Sequence, residues 1–115
     1  MRIEIRGRNT EITPELEDAI RKRFKRVGRQ VSELAMLDIE LCEEPNPSVT
    51  DKFVAEATLR VKRRTIRARE ASPEMLHSIH ELAEDVRRQV KRDRELRRKR
   101  HEARRFSARL RGNAA

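Results

Sequence analysis

The 115 residues of this chain leave room for one domain with one modest core and exclude a second of comparable size. With 36% hydrophobic and 43% charged residues and neither Trp nor Tyr, the core must be aliphatic, helped by a few Phe, and a platform for stacking unpaired bases is argued against. A formal charge of +9 points to a polyanionic partner, because cations that neutralise phosphates release counterions and so drive binding.

Arg2 to Arg6 alternate, with Ile3 and Ile5 on one side and Arg2, Glu4 and Arg6 on the other. This predicts a half-buried strand, ended by Gly7 and Asn9. Thr13-Pro14-Glu15 opens a helix: Thr13 caps it, Pro14 suits its first position and Glu15 faces the positive end of its dipole. Leu16, Ile20, Phe24 and Val27 form its buried stripe, with Ala19 beside them. Lys22, Lys25 and Arg29 occupy the opposite face, flanked by Arg21 and Arg26, and Gly28 marks the end.

Leu37, Ile39 and Leu41 alternate with Asp38, Glu40 and Cys42 in a second strand, and a loop with Pro45, Asn46 and Pro47 follows. A third strand alternates Phe53, Ala55, Ala57, Leu59 and Val61 with Val54, Glu56, Thr58 and Arg60. Ile66 and Ala68 oppose Thr65, Arg67 and Arg69 in a fourth. Between these two strands stands Lys62-Arg63, where a tight hairpin prefers Asn-Gly. Either the turn is longer or these residues accept positive φ.

Ser72-Pro73-Glu74 repeats the capped-helix opening, and Met75, Ile79, Leu82, Val86 and Val90 form the next apolar stripe. Asp93 and Arg97 interrupt that stripe, so beyond about Lys91 the helix is expected to bury nothing. The chain thus divides into an α+β domain over 1–92 and an Arg-rich tail over 93–115, either a helix extension or a disordered arm. Leu96 is sparse in this tail, while Ala103, Phe106 and Leu110 fall at helical spacing. The resulting order is β-α-β-β-β-α: a four-stranded mixed sheet whose first two strands are parallel, with two helices on one face. Arg2, Glu4, Asp38, Glu40, Glu56, Arg60, Arg67 and Arg69 are left on the other face, where mixed signs predict partial self-pairing. The more uniformly positive helix face is the expected phosphate-binding surface.

Placed in this order, several stretches carry a family likeness: Ile3-Glu4-Ile5-Arg6-Gly7-Arg8-Asn9, Ile12-Thr13-Pro14-Glu15-Leu16, Val54-Ala55-Glu56-Ala57-Thr58-Leu59 and Arg64-Thr65-Ile66-Arg67-Ala68-Arg69-Glu70, leading into Ser72-Pro73-Glu74-Met75 and Glu81-Leu82. The chain resembles the short ribosome hibernation-promoting factors and ribosome-associated inhibitors, also called sigma-54 modulation proteins. The resemblance implies a double-stranded-RNA-binding-like fold and a bacterial, cytoplasmic stress or stationary-phase factor. Such a factor binds 16S rRNA in the channel between head and body of the small ribosomal subunit, with ribosomal proteins lining that channel as further contacts. There it blocks the mRNA and tRNA sites. Carried onto this sequence, the rRNA-contacting residues are Lys22, Lys25, Arg26, Arg64, Arg67, Arg87, Arg88, Lys91 and Arg92, and Arg29 joins them from the helix face. Lys62-Arg63 and the basic tail depart from the family pattern.

Other chemistries are weaker in these residues. His77 and His80, with Glu81 and Glu84 nearby, supply only two imidazoles on a face expected to be open, so neither a metal nor a cofactor is expected. No nucleophile triad is recognisable, and three glycines leave little for a phosphate-cradling loop, so no catalytic residue is assigned. Cys42 alone cannot form an internal disulfide, no apolar run reaches bilayer length, and the opening residues lack a signal-peptide core. A monomer acting in the cytoplasm without a membrane is expected. The alternatives are a general structured-RNA-binding or ribosome-assembly protein without channel occlusion and, more distantly, an RNA-processing enzyme.

Overall fold

The computed structural model describes residues 1–113. Its elements are β1 (Arg2–Arg8), α1 (Pro14–Arg23), α2 (Lys25–Gln30), β2 (Met36–Glu43), β3 (Phe53–Val61), β4 (Arg64–Ser72) and α3 (Met75–Asn113). The sheet has four strands in the order β1-β2-β3-β4, with β1 parallel to β2 and the remaining pairs antiparallel. This is the mixed α+β architecture that the alternation of apolar residues predicts.

The helices cover one side of that sheet. Ile20, Phe24 and Val27 from α1, α2 and their junction meet Leu37, Ile39, Leu41, Ala55, Ala57 and Leu59 from the strands. Ile79, Leu82, Val86 and Val90 of α3 join the same core. Ser78 is the one fully buried polar side chain among the described residues, and its hydroxyl is satisfied. It donates to the Phe53 carbonyl at 2.6 Å and lies 2.6 Å from the Ser72 hydroxyl, so one group ties β3, the end of β4 and α3 together.

Several boundaries differ from those expected. β1 continues through Gly7 to Arg8, because parallel pairing with β2 extends to Cys42. Gly7 is needed for space: a Cβ there would lie 2.3 Å from the Thr10 carbonyl oxygen, which belongs to the backbone of the following turn. The turn itself passes through Asn9 at φ 57°. Gly7→Ala should cost about 1–3 kcal/mol, read as a lower urea midpoint at unchanged slope, because backbone must move to admit the methyl group.

The first helix is two helices. Thr13 caps α1 as expected, its hydroxyl accepting from the Leu16 N–H at 3.2 Å. The chain then breaks step at Phe24 (φ −89°, ψ 2°) before α2 begins. Gly28 lies inside α2 and donates to the Phe24 carbonyl at 3.0 Å, so it does not end the helix. The third helix begins at Met75, later than the Ser-Pro-Glu motif suggests. Ser72 closes β4 instead, and its hydroxyl accepts from the Glu74 N–H at 3.3 Å.

The β3–β4 connection is the tight one. Val61 pairs with Arg64, leaving only Lys62 and Arg63 in the turn, and Arg63 takes the left-handed conformation at φ 65°. From there β4 leads into α3, which folds back towards the turn and continues for 39 residues in all. That length exceeds the sheet, and the molecule measures 70 × 29 × 18 Å.

Candidate nucleic-acid interface

Charge is sorted between the two sides of the sheet. On the side away from the helices, the register aligns Arg6, Glu40, Glu56 and Arg69 in one row across all strands. Arg6 and Arg8 reach Glu40 at 3.8 and 3.4 Å, and Arg69 reaches Glu56 at 3.3 Å. Arg60 pairs with Asp38, and Arg2 with Glu4 at 3.7 Å. Such exposed pairs stabilise by no more than about 1 kcal/mol each, but they offset most of the positive charge on this face. Arg67 lies on this side too, and no acidic partner reaches it among the described residues.

The helical layer is different. Lys25, Arg26 and Arg29 on α2 and Arg88, Lys91 and Arg92 on α3 are all exposed. None of these has an acidic partner among the described residues. Helical geometry puts Arg88 and Arg92 in one i,i+4 line and Arg87, Lys91, Arg94 and Arg98 in a second. Because α1 and α2 pack against α3, both sets of cations belong to the same layer.

Three of the residues expected at the interface are engaged within the protein. Lys22 meets Asp18 at 3.1 Å in an exposed i,i+4 pair that an anionic partner can open cheaply. Arg87 is half-buried and donates to Glu84 at 2.9 Å. That hydrogen bond holds the Glu84 carboxyl below its ordinary value, against the opposing effect of burial. Arg64 points inward from β4 and pairs with Asp93.

Asp93 corrects the expectation that α3 has nothing to bury beyond Lys91. It is only 8% exposed and is shared by Arg64 and by Arg97, the latter at 3.3 Å. Gln89 donates to the Arg67 carbonyl at 2.9 Å, and Arg97 donates to the Lys62 carbonyl at 3.4 Å. Residues 89, 93 and 97, spaced one helical turn apart, thus fasten α3 to the hairpin. Spacing alone treats Asp93 as the end of a stripe. An acid in stripe position within an Arg-rich segment was the available signal for a buried ion pair. Asp93→Ala leaves Arg64 and Arg97 facing each other without their anion and should lower stability by about 2 kcal/mol. This is below the usual cost of breaking a buried pair, since both guanidinium groups keep some access to water. Thermal denaturation followed by circular dichroism checks it.

His77 is exposed, but His80 is half-buried and its Nδ1 has no hydrogen-bond partner, so the two do not share an open face. Among the described residues no group of three or more His, Cys, Asp or Glu side chains converges as metal ligands. No described helix is long and apolar enough to cross a membrane.

Comparison with known proteins bears on this arrangement. The family model described as sigma 54 modulation protein / S30EA ribosomal protein matches residues 3–98. The chain belongs to this family. Within its reach lies the ribosome hibernation promoting factor of Acinetobacter guillouiae, 26% identical over 101 residues, which covers 84% of this chain and 89% of that protein. The ribosome hibernation promotion factor of a Picosynechococcus species is 27% identical over 96 residues, covering 83% of this chain but half of that longer relative. Among solved structures, the N-terminal domain of Thermus thermophilus Protein Y superposes with a TM-score of 0.68 at 26% identity, covering 80% of this chain and 98% of that one. A ribosomal subunit interface protein from Coxiella burnetii, at 19% identity, shares the fold with a TM-score of 0.69. The family match ends at Arg98, so the last turns of α3 lie outside it.

Proposed function

We propose that this protein is a ribosome hibernation factor that acts in the cytoplasm by occlusion. It enters the decoding channel of the small ribosomal subunit, sets its helical layer against 16S rRNA and blocks the mRNA and tRNA sites, and no bond is made or broken. The observation that carries this reading is the sorting of charge: the open side of the sheet pairs most of its own ions, whereas Lys25, Arg26, Arg29, Arg88, Lys91 and Arg92 in the helical layer have no acidic partner among the described residues. The family and the names of the relatives support the same reading.

Lys25, Arg26, Arg29, Arg88, Lys91 and Arg92 are the phosphate contacts in this scheme. Lys22 and Arg87 join by exchanging an internal carboxylate for a phosphate. Arg64 is a positioning residue, held by Asp93, and Arg67 is an edge contact on the other side of the sheet. If about six phosphates are neutralised, affinity falls roughly a thousandfold between 50 and 200 mM salt.

Sedimentation supplies the test. At moderate salt the protein should travel with intact small subunits in preference to free 16S rRNA, and prebound mRNA and tRNA should exclude it. Equal affinity for assembled subunits and free rRNA, with no exclusion, would mark it instead as a general RNA-binding or ribosome-assembly protein.

A further inference from the structure

The β3–β4 turn and the part of α3 that overhangs it enclose an open groove. Lys62, Arg63 and Arg64 line one wall. Arg97, Arg100 and Arg104 line the other, and at i, i+3 and i+7 they share one face of the helix over about 10 Å. His101 completes the lining. Asp93 is the only carboxylate joined to these cations by an ion pair among the described residues. The fold therefore holds like charges close together at an electrostatic cost that an anion relieves.

We propose that this groove is a second phosphate-binding site, which grips adjacent phosphates of a structured RNA backbone. This rests on the reading that the helical layer binds RNA, and it extends the contact beyond the residues assigned there. The groove is open along its length, as a polymer requires, and its walls carry guanidinium groups that bind phosphate oxygens in pairs. Its helix wall lies on the face of α3 that carries Asp93 and Arg97, roughly half a turn away from Arg88, Lys91 and Arg92, so the groove and the layer are separate cationic surfaces of the same helix. An acidic protein segment is the less fitting occupant, because cations clustered within about 10 Å match the close, regular spacing of charges on a nucleic-acid backbone.

The test compares three full-length proteins: the parent, a groove variant (Lys62→Ala/Arg100→Ala/Arg104→Ala) and a layer variant (Lys25→Glu/Arg88→Glu/Lys91→Glu). Binding to a labelled 20-base-pair RNA duplex and to purified small subunits is titrated against salt, with helix content checked by circular dichroism. The groove variant should bind the duplex at least tenfold more weakly at moderate salt. The slope of log affinity against log salt should fall by two to three units, since each phosphate contact contributes about 0.9. An Arg100→Lys/Arg104→Lys variant, which keeps the charge, should recover the slope. Parental affinity and slope in the groove variant would overturn the proposal while a defective layer variant leaves the occlusion reading standing. Parental binding by both variants would remove both. Displacement of the duplex by poly-glutamate as readily as by unlabelled duplex at equal charge would assign the groove to an acidic protein partner.

Discussion

Reversing Lys25, Arg88 and Lys91 to Glu abolishes binding to the small ribosomal subunit and leaves the fold in place: this is the largest effect expected of any surface change. Each substitution replaces an attraction to phosphate by a repulsion, and all three side chains are exposed with no acidic partner among the described residues. The loss should exceed a thousandfold at moderate salt, because three contacts vanish and three like-charge oppositions appear. Stability should change by no more than about 0.5 kcal/mol, since the side chains are exposed and Glu is a good helix former. Co-sedimentation and thermal melting measured on the same preparation check both halves. Parental binding by a well-folded triple variant would take the helical layer out of the interface.

The largest loss of stability is expected at Phe24. Its side chain is fully buried at the step between α1 and α2, beside Ile20 and Val27. It is the largest fully buried side chain among the described residues, so its removal leaves the largest gap. Phe24→Ala should cost about 4 kcal/mol, the transfer energy of the ring plus the cavity left behind. A domain of this size would then melt roughly 20 °C lower. A shift below about 5 °C would mean that α1 and α2 collapse onto the gap, and that the break between them is a compliant joint.

What could be read in the residues follows from the kind of signal each element sends. The strands were legible because period-two alternation is strong in Leu37-Asp38-Ile39-Glu40-Leu41 and in the third strand, and the observed register pairs those residues directly. The parallel pairing of β1 with β2 followed from the intervening helix alone. The break at Phe24 was not legible, since Leu16, Ile20, Phe24 and Val27 keep helical spacing across it. Apolar periodicity reports which residues are inside, and it is blind to a change of axis between two segments that bury the same stripe. The Lys62-Arg63 turn was legible in position but not in conformation, because tertiary pairing of β3 with β4 holds Arg63 in a geometry its side chain disfavours.

The site was legible to a similar degree. Exposed cations on α2 and α3 follow from the opposite faces of the two stripes. The internal engagement of Arg64 does not, for it depends on an acid 29 positions away whose burial only the fold reveals. The groove at the hairpin was likewise hidden, because it joins a turn and a helix that meet only once α3 has folded back.

The fastening of α3 to the hairpin has a mechanical consequence. Past Arg97 the helix projects as an unsupported rod of roughly sixteen residues, or about 24 Å at 1.5 Å per residue. A cantilever of that reach amplifies whatever happens at its clamp, so a ten-degree tilt there sweeps the free end by about 4 Å. The aim of the distal arginines is therefore decided by a handful of polar bonds near the root, and tightening or loosening that clamp retargets charges that lie far from it.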